Sequence, residues 1–258
     1  MEVLFKPSEV ATNVQVSIII PVFNEEDVIS ISLAQVRKSI GSILSNYEII
    51  IVNDGSTDNT LKVLEKEKER DAQHIQIISY ALNKGKGYAI RTGVIKSRGS
   101  IVVLVDGDLD ISPFTIKDYI KELENCSLVI ASKHHPLSKV TAPLSRKLLS
   151  KLFNKIVQIA IGIRLKDTQA GLKAGSGDAF RTIFDVMVIR RYAFDVEFLA
   201  IATLLNLSIK ELPIEVSLDN NFRIVDIAKM LIDLALLVYR LKIRRYYYKQ
   251  LIAQKSQN

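Results

Sequence analysis

Five short runs punctuate the first half of the chain, at residues 16–22, 47–52, 75–79, 101–105 and 128–131. In each, nearly every position is apolar and β-branched residues dominate. Runs of this length with no polar face predict strands buried on both sides. Between them lie 25–40, 57–70, 86–96 and 113–123, where apolar residues recur at helical spacing. Such alternation predicts an α/β fold, a mostly parallel sheet with helices on both faces.

The second half has a different rhythm. Residues 143–163 place Leu148, Leu149, Leu152, Phe153, Ile156, Val157, Ile159 and Ala160 at helical spacing, with Lys147, Lys151 and Lys155 beside them. Residues 193–205 predict a mostly buried helix, 209–216 a strand, and 222–245 a long amphipathic helix. In the last, Arg223, Asp226, Lys229, Asp233 and Arg240 fall three, three, four and seven apart, which sets them along one stripe. The expected division is an α/β body over 1–218, in halves of about 14–132 and 133–218, followed by a basic amphipathic helix and tail over 219–258.

Composition sharpens this picture in three places. With 258 residues, 48% of them hydrophobic, the chain can bury one large core. The single cysteine, Cys126, excludes an internal disulfide and a cysteine-based zinc site. The formal charge of +7 is unevenly spread: residues 222–258 hold eight Lys/Arg against two Asp, and 133–155 hold six and no acid. Basic stretches that are also apolar suit an anionic membrane surface as readily as a nucleic acid. Residues 1–13 carry no long apolar segment, so no secretory signal is read there. No run of eighteen uncharged apolar residues predicts a spanning helix; the richest stretch, 230–239, is broken by Asp233.

Ligands of open parallel sheets sit at the carboxyl ends of the strands. The polar residues following each strand therefore come first as candidates. PVFNEE offers Asn24 and Glu25, NDGSTDNT offers Asp54, NKGKGYAIRTG offers Lys84, Lys86 and Arg91, and DGDLD offers Asp106, Asp108 and Asp110. In extended backbone, residues two apart point the same way. Three carboxylates so placed repel one another unless a cation neutralises them, and hard oxygen ligands suit Mg2+ or Mn2+. An acidic turn capping the helix at Pro113 is the structural alternative. An EF-hand is excluded, since Ile111 and Lys117 stand where glycine and glutamate are needed. The glycine-rich segment is neither a P-loop nor a dinucleotide fingerprint, yet its cations and glycines suit a diphosphate at a helix N-terminus. Asp58 or Ser56 serves equally well as a cap for the following helix. His134 and His135 show no metal-ligand spacing.

SIIIPVFNEE, IIIVNDGSTDNT, NKGKGYAIRTG and VVLVDGDLD, in this order, resemble the nucleotide-sugar half of inverting glycosyltransferases of the GT-A (Rossmann-like) fold. The later segments LSRKLLSKLFN, KDTQAGLKA, RYAFDVEFLA, IKELPIEV and AKMLIDLALLVYRLKIR resemble the dolichyl-phosphate glucosyltransferases and their mannosyltransferase relatives. The resemblance implies that Pro21, Phe23, Asn24, Glu25, Asp54, Lys84, Gly85, Lys86, Arg91, Asp106, Gly107 and Asp108 contact the donor, UDP-glucose preferred. It implies a metal, Mg2+ or Mn2+, on Asp106, Asp108 and Asp110. It places the acceptor phosphate near Lys133, Arg146, Ser150 and Lys173, with Asp106, Asp108 and Arg146 central to catalysis. Two departures stand out: Gly107 where the family often has alanine, and Lys133 where it often has arginine, which loses the bidentate fork. The eukaryotic glucosyl members also carry an N-terminal anchor that is not read here.

A lipid phosphate is already anionic and needs cations to position it rather than a general base. Relatives that extend polysaccharides use a QxxRW motif, and this chain has no tryptophan. The expected activity is transfer of glucose to dolichyl or polyprenyl phosphate by a peripheral enzyme on the cytoplasmic face of a membrane, held there by amphipathic helices. One alternative is transfer to a saccharide or protein hydroxyl, with Asp195 or Glu197 as base; structural hydrogen bonding is the other reading of these two acids. A basic nucleic-acid module would leave the acidic strand end unexplained, so no nucleic-acid partner is expected.

Overall fold

A computed structural model describes residues 14–108, 111–169, 171–190, 193–218 and 224–255. In chain order its elements are β1 (Val16–Val22), α1 (Ile29–Gly41), β2 (Tyr47–Asp54), α2 (Thr60–Arg70), β3 (Ile75–Tyr80), α3 (Lys86–Lys96) and β4 (Ile101–Leu104). A 3₁₀ turn (Pro113–Thr115) leads into α4 (Ile116–Glu122), β5 (Leu128–Ser132), β6 (Lys139–Thr141), α5 (Leu144–Ile161), β7 (Lys173–Ser176), α6 (Gly177–Val186) and α7 (Phe194–Leu204). The chain ends with β8 (Ile209–Pro213), β9 (Glu215–Ser217), α8 (Ile224–Val238), a π-helical turn (Tyr239–Ile243) and α9 (Tyr246–Lys255).

The main sheet has seven strands in the order β3-β2-β1-β4-β7-β5-β8. Only β7 runs antiparallel to its neighbours. Successive side chains of a strand point to opposite faces, and both faces are buried. Ile19, Ile50, Val52, Val102 and Leu104 join one core with residues of α3, α5, α6, α7, α8 and α9. Ile18, Ile20, Ile49, Ile51 and Val103 join the other with α1, α2 and α4. This is why the strands read as continuous apolar runs.

The strand expected over 209–216 is two strands. After Pro213 the chain leaves β5: Ile214 N donates to Ser138 Oγ and its carbonyl accepts from Lys139 N, handing the backbone to the small β6–β9 sheet. The single helix expected over 222–245 stops at Val238, passes through the π turn, and restarts after Arg245, whose φ is +47°. Both β7 and α6 escape the hydrophobic pattern. β7 is only Lys-Ala-Gly-Ser, and α6 is signalled instead by its cap, Ser176 Oγ accepting from Ala179 N.

The long helices of the second half carry apolar residues outward as well as inward. In α5, Phe153 and Val157 are buried, whereas Leu144 and Leu148 are 84% and 71% exposed. The exposed Lys147, Lys151 and Lys155 run alongside. In α8, Leu234 and Leu237 face the core while Leu231, Ile232 and Leu236 face out. Asp233 and Arg240 of the charged stripe are half-buried and Lys229 is exposed, while Arg223 lies outside the described residues. Among the described residues, no helix is long and apolar enough to cross a membrane.

Gly175 lets β7 slip between β4 and β5. A Cβ there would fall 2.4 Å from Leu128 Cδ2 and 2.6 Å from Phe180 Cε2. Gly175→Val is expected to destabilise the fold by about 2 kcal/mol through overpacking, measured as a lower midpoint in chemical denaturation.

Candidate active site

The carboxyl ends of β1, β2, β3 and β4 meet on one edge of the sheet, and their loops are stitched together by polar side chains. Asn24 takes a left-handed conformation, φ +56°, which asparagine tolerates better than most residues. Its Oδ1 accepts from Thr57 N at 2.8 Å and its own amide donates to Ser56 Oγ at 2.9 Å. Glu25 N donates to Thr60 Oγ1 at 2.8 Å, and Asp58 accepts from Glu26 N and from Thr60. Ser56 and Asp58 thus join two loops, and Asp58 also bonds the first residue of α2.

Asp54, buried at the end of β2, grips the third loop with both oxygens, accepting from Lys84 N and Gly85 N at 2.8 Å each. The turn at Gly85, φ +99°, then starts α3. Lys84 Nζ lies over the rings of Tyr80 and Tyr88, 4.9 Å and 4.6 Å from their centres. Lys86 reaches across to Asp106, Nζ to Oδ1 2.7 Å. Arg91 does not join this group. Its guanidinium donates to the carbonyls of Phe184 and Asp185, tying α3 to the end of α6.

Asp106 lies where β4 has ended, with Gly107 packed so closely that a Cβ would touch Val22 Cγ1 at 3.0 Å. Asp108 is exposed, and Asp110 lies outside the described residues. Burial alone would raise the Asp106 carboxyl, but Lys86, then Lys173 and Lys133, hold it below the usual carboxylate range. Lys86 in turn is raised, the loss of water being outweighed by Asp106 and Asp195. Glu25 is raised by burial and by the negative charges of Asp108, Asp58 and Asp106. These carboxylates therefore share one electrostatic site.

Opposite them, α7 brings in Asp195, paired with the buried Lys173 at 2.5 Å. Lys133 Nζ donates to Gln169 O at 2.7 Å and lies 3.3 Å from Asp167. Buried Asp167 also accepts from Lys133 N and Gln169 N, and it is held low because Lys133 and these amides outweigh its burial. Lys133 and Lys173 thus sit in the site as members of ion pairs. Asp106, Lys133, Gln169, Gly171 and Asp195 line one part of a cavity of about 580 Å³. Arg146, Ser150, Lys147 and Lys151 of α5 line it too, with Ser150 Oγ 3.5 Å from His134 Nε2. Apolar side chains complete the lining: Leu149, Leu152 and Phe153 of α5, Val216, and Met230 and Leu231 of α8, with Leu152 and Leu231 exposed.

Strand-end logic finds Asn24, Glu25, Asp54, Lys84, Lys86, Asp106 and Asp108 on this edge. It misses Tyr80 and Tyr88, and the clamps Asp167 and Gln169. It also misses Gly171, where a Cβ would fall 2.0 Å from Asp106 Oδ2. The signal for that close approach is the glycine itself in KDTQAGLKA. Glu197, a candidate base, turns away from the cavity: it is fully buried and accepts from Val188 N, Ile189 N and Tyr247 Oη.

Comparison with known proteins agrees with this arrangement. A family model described as glycosyl transferase family 2 matches residues 17–184. A dolichyl-phosphate beta-glucosyltransferase of Trichomonas vaginalis is 32% identical over 246 residues, covering 90% of this chain and 72% of that protein. Proteins of the same name from Dictyostelium discoideum and Saccharomyces cerevisiae are each 32% identical, over 78% and 86% of this chain and 66% and 73% of their own lengths. Among solved structures, glucosyl-3-phosphoglycerate synthase from Mycobacterium tuberculosis with Mn2+, UDP-glucose and phosphoglyceric acid superposes with a TM-score of 0.62 at 20% identity, over 87% of this chain and 78% of that one. At that identity the likeness establishes the fold, the GT-A arrangement.

Lys86→Met is expected to move the Asp106 carboxyl titration upward, read by carbon NMR. Asp106 titrates below its unfolded value in the native protein. Its stabilising contribution is thus full above the unfolded carboxylate value and lost as pH falls through the lowered native one. The stability gap between wild type and Lys86→Met should therefore be widest near neutrality and close in acid.

Proposed function

Because the chain belongs to glycosyl transferase family 2, we propose that it moves glucose from UDP-glucose to the phosphate of dolichol or another polyprenol, inverting C1. The observation that carries this proposal is the mixed lining of one cavity: carboxylates with paired lysines, Arg146 with two further lysines, and a set of apolar side chains from α5 and α8. A small polar acceptor has no use for the apolar set. A phosphate on an isoprenoid chain uses both the cations and the apolar side chains. The names of the relatives point to the same acceptor.

In this scheme Asn24, Glu25 and Asp54, with Pro21 and Phe23, form the nucleoside end of the donor site. Lys84, Gly85 and Lys86 face the diphosphate at the N-terminus of α3, where the positive end of the helix favours anions. Arg91 is assigned to the scaffold. Arg146 and Ser150, one helical turn apart, orient the lipid phosphate. Its anionic oxygen attacks C1 as the bond from C1 to the β-phosphate oxygen breaks, and the nucleoside diphosphate leaves on the opposite side. No base is required, which suits a site where Asp195 is tied to Lys173 and Glu197 is out of reach.

The donor set also fits a divalent cation. Among the described residues no three candidate ligands form a ready cluster. Asp106 and Asp108, whose charges raise the Glu25 carboxyl, are hard oxygen ligands of the kind completed by substrate phosphates. They, with Asp110 as the expected third, would hold Mg2+ or Mn2+. Bound there, the ion would neutralise charge on the leaving diphosphate.

The outward leucines of α5 and α8, with lysines 147, 151 and 155 alongside, suit the headgroup region of an anionic bilayer. We assign this face, together with the cations and Tyr248 near the start of α9, to a membrane surface on the cytoplasmic side. The functional division at 218/219 then separates the catalytic body from lipid-facing helices.

Incubation with UDP-glucose, a polyprenyl phosphate and Mn2+ or Mg2+ should yield a polyprenyl β-glucosyl phosphate. No such product with any common nucleotide sugar would overturn the assignment. Asp108→Ala should abolish turnover, and an active variant would remove the metal assignment. Replacing Leu144 and Leu148 by glutamate should reduce co-sedimentation with vesicles containing anionic lipid; unchanged binding would remove this face from the membrane contact.

A further inference from the structure

α7 is the most uniformly buried of the helices around the site. Val196, Phe198, Leu199, Ala200, Ile201 and Ala202 are all enclosed. Glu197 lies among them with no exposure. A carboxylate there is costly unless it is fully hydrogen-bonded, and its partners are specific. One oxygen accepts from Val188 N at 2.9 Å, the other from Ile189 N at 2.8 Å, and Tyr247 Oη donates to the first. Arg240 acts on both Glu197 and Tyr247 electrostatically. The π turn and the left-handed Arg245 re-aim the chain ahead of α9, and Tyr247 enters the core with no exposure.

The segment that Glu197 grips presses on the donor side of the site. Arg190 O accepts from Tyr88 N at 3.3 Å. The Arg190 guanidinium stands 5.4 Å from the centre of the Tyr88 ring. A Cβ on Gly87 would fall 3.0 Å from the carbonyls of both Ile189 and Arg190 and 2.8 Å from Phe194 Cβ. Loop 84–88 is therefore held from two directions, by Asp54 on its amides at one end and by residues 188–190 at the other. Lys86, between those supports, is the residue that meets Asp106.

We infer that Glu197 is a positioning residue for the nucleotide sugar: it fixes residues 188–190 against loop 84–88, and Tyr247 makes that grip depend on the seating of α9. Glu197 touches neither substrate nor Asp106. It acts through two amides and one carbonyl. The C-terminal helices are thus a structural part of the donor site as well as the side that carries the apolar outer face. This inference rests on the proposed function only in taking loop 84–88 as the donor side.

The test uses the full chain, with UDP and Mn2+ as the probe and hydrogen exchange as a readout that needs no ligand. Glu197→Gln keeps the shape but offers an N–H₂ where an amide needs an acceptor. Tyr247→Phe keeps the carboxylate and its amides and removes only the link to α9. UDP affinity and the KM for UDP-glucose should weaken about tenfold in Glu197→Gln and severalfold in Tyr247→Phe, with the KM for polyprenyl phosphate unchanged. Amides of 84–90 should exchange faster in both variants, while those of β1 and β2 stay as protected as in wild type. Should Glu197→Gln fail to fold, Tyr247→Phe carries the test. Variants that bind UDP as wild type does, or whose exchange rises throughout the sheet, overturn the inference alone. A wild-type protein that binds no UDP overturns both it and the donor assignment.

Discussion

Asp106 is a half-buried carboxylate just past the end of a buried strand, and a charge partly withdrawn from water is balanced locally. The chain balances it from three directions. Lys86 comes from the loop after β3, Lys133 from the end of β5, and Lys173 from β7. Two of these cations carry carboxylate partners of their own, Asp167 and Asp195. The close approach of Gly171 leaves room for nothing larger beside the Asp106 carboxyl. Much of the local design follows from this requirement: the antiparallel insertion of β7, the placement of Asp167, Gln169 and Gly171 ahead of it, and the N-terminal turn of α7.

The same requirement separates the two halves of the site. On the proposed donor side, hydrogen bonds to backbone dominate: Asp54, Asn24, Asp58 and Thr60 hold the loops by their amides. On the proposed acceptor side, ion pairs dominate close to Asp106, and α5 adds both cations and apolar side chains to the cavity lining.

The parallel half of the fold was legible because its strands are buried on both faces, so an apolar run and a strand coincide. The strand-end candidates were legible for the same reason: where the apolar run stops, the site begins. Arg91 misled because a cation in a glycine-rich segment resembles a phosphate ligand, while one turn into α3 it faces α6. β7 was illegible because four small residues carry no periodic signal, and its place between β4 and β5 is a tertiary fact. The stripe of charges in 222–245 marked an amphipathic helix without saying which face turns inward. Asp233 and Arg240 on that stripe are half-buried and apolar side chains point out, with Arg240 acting on Glu197 and Tyr247. Glu197 was legible as an acid with a structural or a site role; which of the two it takes is decided by partners no motif marks, two main-chain amides and Tyr247 Oη.

The apolar side chains of α5 and α8 that line the cavity give the proposed acceptor a kinetic consequence. A water-soluble donor reaches its loops by diffusion in three dimensions. An acceptor that enters between outward-facing leucines arrives by diffusion in the plane of a bilayer. The two substrates are then counted in different units, one per volume and one per area. Diluting the membrane with inert lipid would starve the enzyme of acceptor at constant bulk concentration, while leaving saturation by the nucleotide untouched.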